Sequence, residues 1–270
     1  MGAPIPLLLE PAELEERLDS DDLLVVDLCR PGVYAQAHIP GAVSLPYNQI
    51  VAAQPPAMGM LPDAEQLAKV LGSLGLTRDT VVVAYDDEGG GCACRLLWTL
   101  EVVGHPHFAL LNGGLHAWTA EQRPLSRDSV TPEPHEYPVV FRDAPIADKA
   151  YILQHLEDPS VVLLDARSPA EYAGINKRAA RAGHIPGAVN FDWVNAIDQS
   201  RALRLRPAET LRAALAGIGV VPDKEVIVYC QTHHRSAHTY MALKSLGYNR
   251  IRGYPGSWSE WGNSAETPVS

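Results

Sequence analysis

Cysteine is scarce in this chain, with four residues, Cys29, Cys92, Cys94 and Cys230, among 270. That is too few for a disulfide framework at this length and points to a reducing compartment. Cys92 and Cys94 form a Cys-x-Cys with no second ligand pair. They are expected as small residues at a glycine-rich helix start, and no metal or cofactor is called for. Long apolar runs are also missing, since none approaches the roughly 18 residues that a membrane span needs. Residues 1–9 lack the basic start and long apolar middle of a secretory signal, and Pro6 stands where a myristoylation signal carries Ser or Thr. A cytoplasmic protein is expected, without membrane contact. Basic residues are outnumbered, 22 against 32 acidic, for a net charge of −10. This excludes a general nucleic-acid surface, which rests on Lys and Arg neutralising phosphates, so any anion site must be local.

Hydrophobic residues make up 46% of the chain and charged ones 20%. That composition excludes disordered and fibrous classes, and the length suits two domains of ordinary size.

The order of elements repeats. The first half predicts a helix over Pro11 to Leu18, a strand over Leu23 to Asp27, the motif His38-Ile39-Pro40-Gly41-Ala42-Val43 and a helix over Asp63 to Leu74. A strand over Val81 to Tyr85 follows, then a helix from near Arg95 to Gly104, and Trp118. The second half predicts a helix over Lys149 to Leu156, a strand over Val161 to Asp165, His184-Ile185-Pro186-Gly187-Ala188-Val189 and a helix over Pro207 to Leu215. A strand over Val226 to Tyr229, a helix over Ala237 to Leu246 and Trp261 complete it. Repetition of this extent means a duplicated domain, and alternating strands and helices mean parallel sheets with helices on both faces. The fold class is tandem α/β, with domains expected at 1–123 and 146–270. The stretch 124–145, proline-rich and without apolar periodicity, is expected as a linker.

The copies differ at one decisive point. In the second, the apolar run ends in Cys230-Gln231-Thr232-His233-His234-Arg235-Ser236. A buried strand delivers its last residue to the sheet's carboxyl edge, and a helix capped by Ser236 begins just beyond. Unpaired N–H groups at that helix start, the charge of Arg235 and the imidazoles of His233 and His234 all lower a thiol pKa. Cys230 is therefore expected as a nucleophile. The first copy has Asp86 at this place, followed by Asp87, Glu88 and three glycines. These offer neither nucleophile nor cations, so a silent copy with a solvated acidic loop, rather than a metal site, is expected. An eight-residue insertion in the second copy, 175–182, adds Lys177, Arg178 and Arg181. It reads equally as an anion entrance or a solvated loop. His38 and His184 recur in both copies, as do Asp27 and Asp165, so these are expected as scaffold, with Arg167 the partner of Asp165.

The strand, cysteine, loop and helix, together with Gly-His-Ile-Pro-Gly-Ala-Val at 183–189, resemble the rhodanese sulfurtransferases over nearly the whole chain. The loop wording is similar to that of bacterial two-domain thiosulfate sulfurtransferases. The resemblance implies two rhodanese-like domains and transfer of a sulfane sulfur from thiosulfate to cyanide or a thiol through a Cys230 persulfide, by a monomer without cofactor. Gln231, Thr232, His233, His234, Arg235 and Ser236 would hold the substrate, and Trp193 would line the pocket. Glu171 stands near where vertebrate rhodaneses carry a donor-binding arginine.

Three other classes share part of this pattern. A mercaptopyruvate sulfurtransferase would have a glycine-rich loop after the cysteine. A cysteine-dependent phosphatase of the related kind places five residues between cysteine and arginine, where this chain has four. A non-catalytic binding module would not need an intact nucleophile.

Overall fold

The computed structural model describes residues 5–270. They form two compact units, each built on its own all-parallel sheet. Against the expected boundaries, the units are not contiguous in sequence. Residues 51–61 belong with the second unit and 198–205 with the first, which runs on to Arg142.

The first sheet has the spatial order Leu8–Leu9, Phe108–Leu111, Val81–Tyr85, Leu23–Asp27, Val43–Ser44. The second has the order Ile251–Gly253, Glu225–Tyr229, Val161–Asp165, Val189–Asn190. The central strands are nearly continuous apolar runs because helices cover both faces and leave no wet side. Their register is the same in both units: Asp27 lies opposite Tyr85, and Asp165 opposite Tyr229. Each tyrosine hydroxyl accepts a backbone N–H from the His-Ile-Pro-Gly motif, Ile39 in one unit and Ile185 in the other, both at 3.2 Å. The motif is thereby pinned to the central strand.

The scaffold histidines also match. His38 stacks on Tyr34 and His184 on Tyr172, with ring centroids 4.0 and 3.7 Å apart, and each Nδ1 meets the carbonyl of that same tyrosine. The two cores close on fully buried tryptophans. Trp118 donates its indole N–H to the Pro124 carbonyl, and Trp261 donates to Pro268, at 2.7 Å in both cases.

The stretch expected as a linker lies along the first unit. Ser126 exchanges both backbone hydrogen bonds with His38, His135 donates to the Gly72 carbonyl, and Tyr137 is buried against His105 and Arg78. A segment without periodicity is here held by backbone pairing and one anchor ring.

Helix ends differ from expectation. The helix after Cys230 spans Arg235–Ser245, two residues earlier than predicted, so Ser236 lies in its first turn rather than capping it. The helix after Asp86 spans Gly91–Val102, which places Cys92 and Cys94 in its first turn. The first helix is Pro11–Glu15, shorter than the predicted stretch to Leu18. Among the described residues, no helix is long and apolar enough to cross a membrane.

Candidate active site

Cys230 follows the strand Glu225–Tyr229 directly and is wholly buried. The loop after it closes through a left-handed residue, His233, with φ of 55°. Ser257 holds this turn. Its hydroxyl accepts the N–H groups of Cys230 (3.3 Å) and His233 (3.1 Å) and donates to the Tyr254 carbonyl (2.7 Å). The helix Ser257–Trp261 contributes further, because Trp258 and Ser259 donate their N–H groups to the carbonyls of Cys230 and Gln231, each at 3.0 Å. N–H groups left unpaired at a helix start thus fix the outer edge of the loop.

The hairpin formed by Ala52–Gln54 and Ala57–Met60 completes the support. A Cβ on Gly59 would fall 2.2 Å from the Thr232 carbonyl oxygen and 2.7 Å from that of Pro255, so only glycine allows this approach. Met58 donates its N–H to the Ser259 hydroxyl at 3.0 Å.

Around the sulfur, burial raises the thiol pKa, but it is outweighed. The charge of Arg235, the Ser236 hydroxyl and the N–H groups of Ser236 and Thr232 bring it below the ordinary value. The thiolate is thus easier to form than on an ordinary cysteine, although the sulfur is buried.

Arg235 sits differently from expectation. Its two terminal nitrogens meet both carboxylate oxygens of Glu171, at 2.6 and 3.0 Å. Burial works to raise the Glu171 pKa, yet Arg235 and the Ser168 N–H and hydroxyl hold it down to about 2. Glu171 is in turn fixed by a capping box with Ser168 at the start of the helix Pro169–Tyr172. The Ser-x-x-Glu signal for that cap is visible in the sequence; its use as the anchor of Arg235 is not. Arg235 therefore acts on Cys230 as a fixed charge, with its fork already engaged.

The other expected site residues are distributed around this centre. His233 is fully buried, with Nδ1 2.8 Å from the Ser236 hydroxyl. His234 stands just before the helix, at its N-cap, and lies edge-on to Trp193 at 5.9 Å between centroids, while His238, one turn further, stands 5.3 Å from the same indole. Trp193 is half-buried in a short turn capped by Asp192. Gln231 donates its amide to the Arg178 carbonyl at 3.2 Å. Within the basic insertion, Lys177 and Arg178 are exposed, but Arg181 spends its guanidinium on the carbonyls of Trp261, Ser264 and Thr267. Arg167, the expected partner of Asp165, pairs with it at 2.6 Å and also donates to the Gly183 carbonyl at 2.8 Å.

The first unit builds the same cradle and fills it with its own side chain. The Asp86 carboxylate accepts the N–H groups of Glu88 (3.0 Å), Gly90 (2.8 Å) and Ala93 (3.0 Å) and is buried. Burial raises the Asp86 pKa against the lowering effect of these N–H groups, and of the two loops only the second carries a nucleophile at this place.

Comparison with known proteins agrees with the duplicated architecture. The Rhodanese-like domain family matches residues 10–121 and again 148–264. A thiosulfate sulfurtransferase of Azotobacter vinelandii is 48% identical over 267 residues, covering 99% of this chain and 98% of the relative. One from Pseudomonas aeruginosa is 46% identical over 265 residues, covering 98% and 97%. Among solved structures, wild-type EanB superposes with a TM-score of 0.86 at 23% identity, over 98% of this chain and 69% of that one, a likeness of fold alone. With two matches of the family on two matching sheets, and with relatives of this identity along its whole length, the chain belongs to the rhodanese-like domain family.

Proposed function

We propose that this protein is a sulfurtransferase that moves a sulfane sulfur from thiosulfate to cyanide or a thiol through a persulfide on Cys230. The observation that carries the proposal is the Cys230 sulfur at the strand end, whose thiol pKa burial raises but Arg235, Ser236 and Thr232 bring below its ordinary value. The names of the Azotobacter and Pseudomonas relatives supply the donor.

In the first half-reaction the thiolate attacks the outer sulfur of thiosulfate. A bond forms between Sγ and that sulfur, the bond to the sulfonate breaks, and sulfite leaves with the electron pair. In the second, cyanide or a thiolate attacks the terminal sulfur, and the Sγ–S electrons return to Cys230. A negative sulfur is present before and after each step, so donors fixed in place beforehand stabilise it without reorganising. Arg235 contributes charge at a fixed distance, held by Glu171. Trp193, beside His234, would form the apolar wall.

The first unit is catalytically silent in this reading, because Asp86 occupies the place of the nucleophile and accepts the loop's N–H groups. None of the four cysteines is joined in a disulfide, which suits the cytoplasm, where thiols stay reduced.

Initial-rate kinetics with thiosulfate and cyanide test the proposal. Thiocyanate should form with parallel double-reciprocal lines, the mark of a substituted enzyme. Cys230→Ser should be inactive. Intersecting lines, or turnover surviving in Cys230→Ser, would contradict it.

A further inference from the structure

Ser236 has one hydroxyl proton and two polar neighbours. His233 Nδ1 lies 2.8 Å from its oxygen, and the Cys230 sulfur takes a hydrogen bond from the hydroxyl. A serine hydroxyl donates once and accepts twice. Both contacts hold together only when His233 carries its proton on Nδ1 and donates it to Ser236, leaving the hydroxyl proton for the sulfur. In the opposite tautomer, His233 Nδ1 would draw that proton away from Cys230.

The backbone supplies an independent sign. His233 is left-handed at φ 55° and fully buried, a conformation that crowds the Cβ of any non-glycine residue against its own backbone. The silent unit makes the corresponding turn with glycine. Gly89 stands three residues after Asp86, as His233 does after Cys230, and its φ is 101°. Where there is no nucleophile, the turn is glycine; where there is one, an imidazole is kept despite the steric cost.

Resting on the role given above to Cys230, we propose that His233 is a positioning residue that does not contact substrate. Its Nδ1–H orients the Ser236 hydroxyl so that the proton faces the Cys230 sulfur, in the thiolate and whenever the thiolate is regenerated as leaving group. The other charged groups at the sulfur, Arg235 with its partner Glu171, belong to a separate arm of the site. They are unchanged in the test.

The readout is the rate of alkylation of Cys230 across pH, followed by peptide mass, alongside sulfur uptake from thiosulfate by the same preparations. Ser236→Ala and His233→Leu, which fills the buried space without a donor, should each lower the thiolate fraction near neutrality by about tenfold, one pH unit in the thiol pKa. The double variant should be no worse than Ser236→Ala, because His233 acts only through that hydroxyl. His233→Asn places a permanent amide donor near the Nδ1 position and tolerates the left-handed backbone. It should keep the wild-type profile, which a merely structural role for the ring would not produce.

An unmoved thiol pKa in His233→Leu, additive losses in the double variant, or an Asn variant as impaired as Leu overturns the inference while wild-type sulfur uptake leaves the proposed function standing. Failure of the wild type to take up sulfur would instead remove the proposed function itself.

Discussion

Replacing Glu171 with glutamine separates the two duties of the Arg235–Glu171 pair. The side chains are 21% and 7% exposed, and both guanidinium nitrogens face the carboxylate. The fall of the Glu171 pKa from 4.5 to about 2 corresponds, at about 1.4 kcal/mol per pH unit, to about 3 kcal/mol of folded-state preference for the charged form. Glutamine keeps one acceptor, and Arg235 is partly wet, so the loss at pH 7 should be nearer 2 kcal/mol. That is a fall in melting temperature of about 4–8 °C for a chain of this size.

Because the folded-state pKa of Glu171 is depressed, the stability it adds is fully present above about pH 4.5 and is lost as pH falls through about 2. Urea titrations of wild type and Glu171→Gln should therefore differ most at neutral pH and converge across that window. At the same time, Arg235 loses its neutralising partner. The Cys230 thiol should titrate lower, and the Michaelis constant for thiosulfate should fall as the guanidinium fork opens to the sulfonate. A variant as stable as wild type at pH 7, or one whose Cys230 titrates higher, would refute the reasoning.

Other perturbations separate the remaining parts. Arg235→Ala should slow transfer by roughly ten- to a thousandfold, the scale of losing one donor or charge at the reacting centre, and alkylation across pH should show a raised Cys230 pKa. Unchanged alkylation would mean that the arginine only braces Glu171. Gly59→Ala drives a Cβ into two backbone carbonyls of the active-site region. It should slow sulfur uptake while far-ultraviolet circular dichroism stays native, and wild-type uptake would show that the hairpin does not position the loop. Asp86→Asn puts an amide in place of a carboxyl group that accepts three N–H donors. The first unit should lose about 1–3 kcal/mol while Cys230 persulfide formation stays intact; loss of sulfur transfer without loss of stability would give Asp86 a role in the chemistry.

The legibility of these features in the sequence follows from how local each one is. The strands Leu23–Asp27, Val81–Tyr85 and Val161–Asp165 coincide with their apolar runs, because a strand buried on both faces has no reason to carry polar residues until it ends. The helix starts at Arg235 and Gly91 were less legible, since neither has a side-chain cap and the polar or glycine-rich residues before them look like loop. The polar run after Cys230 marked a site without revealing its wiring. Arg235 and Glu171 are 64 residues apart, and Ser257 reaches back 27 residues to the Cys230 N–H. Gly59 meets Thr232 only through the fold, from a hairpin in the half of the sequence without the nucleophile. The left-handed state of His233 was hidden because nothing in Gln-Thr-His-His-Arg favours it; the matching Gly89, also at positive φ, is where the turn shows in sequence.

The most direct measurement is intact mass after incubation with thiosulfate, followed by peptide mapping. One sulfur should add to the wild-type chain, map to the peptide containing Cys230, and be lost on addition of cyanide. Cys230→Ala should gain nothing. A sulfur that appears in Cys230→Ala, or that maps to Cys29, Cys92 or Cys94, would contradict the assignment of Cys230 as the sulfur-carrying residue.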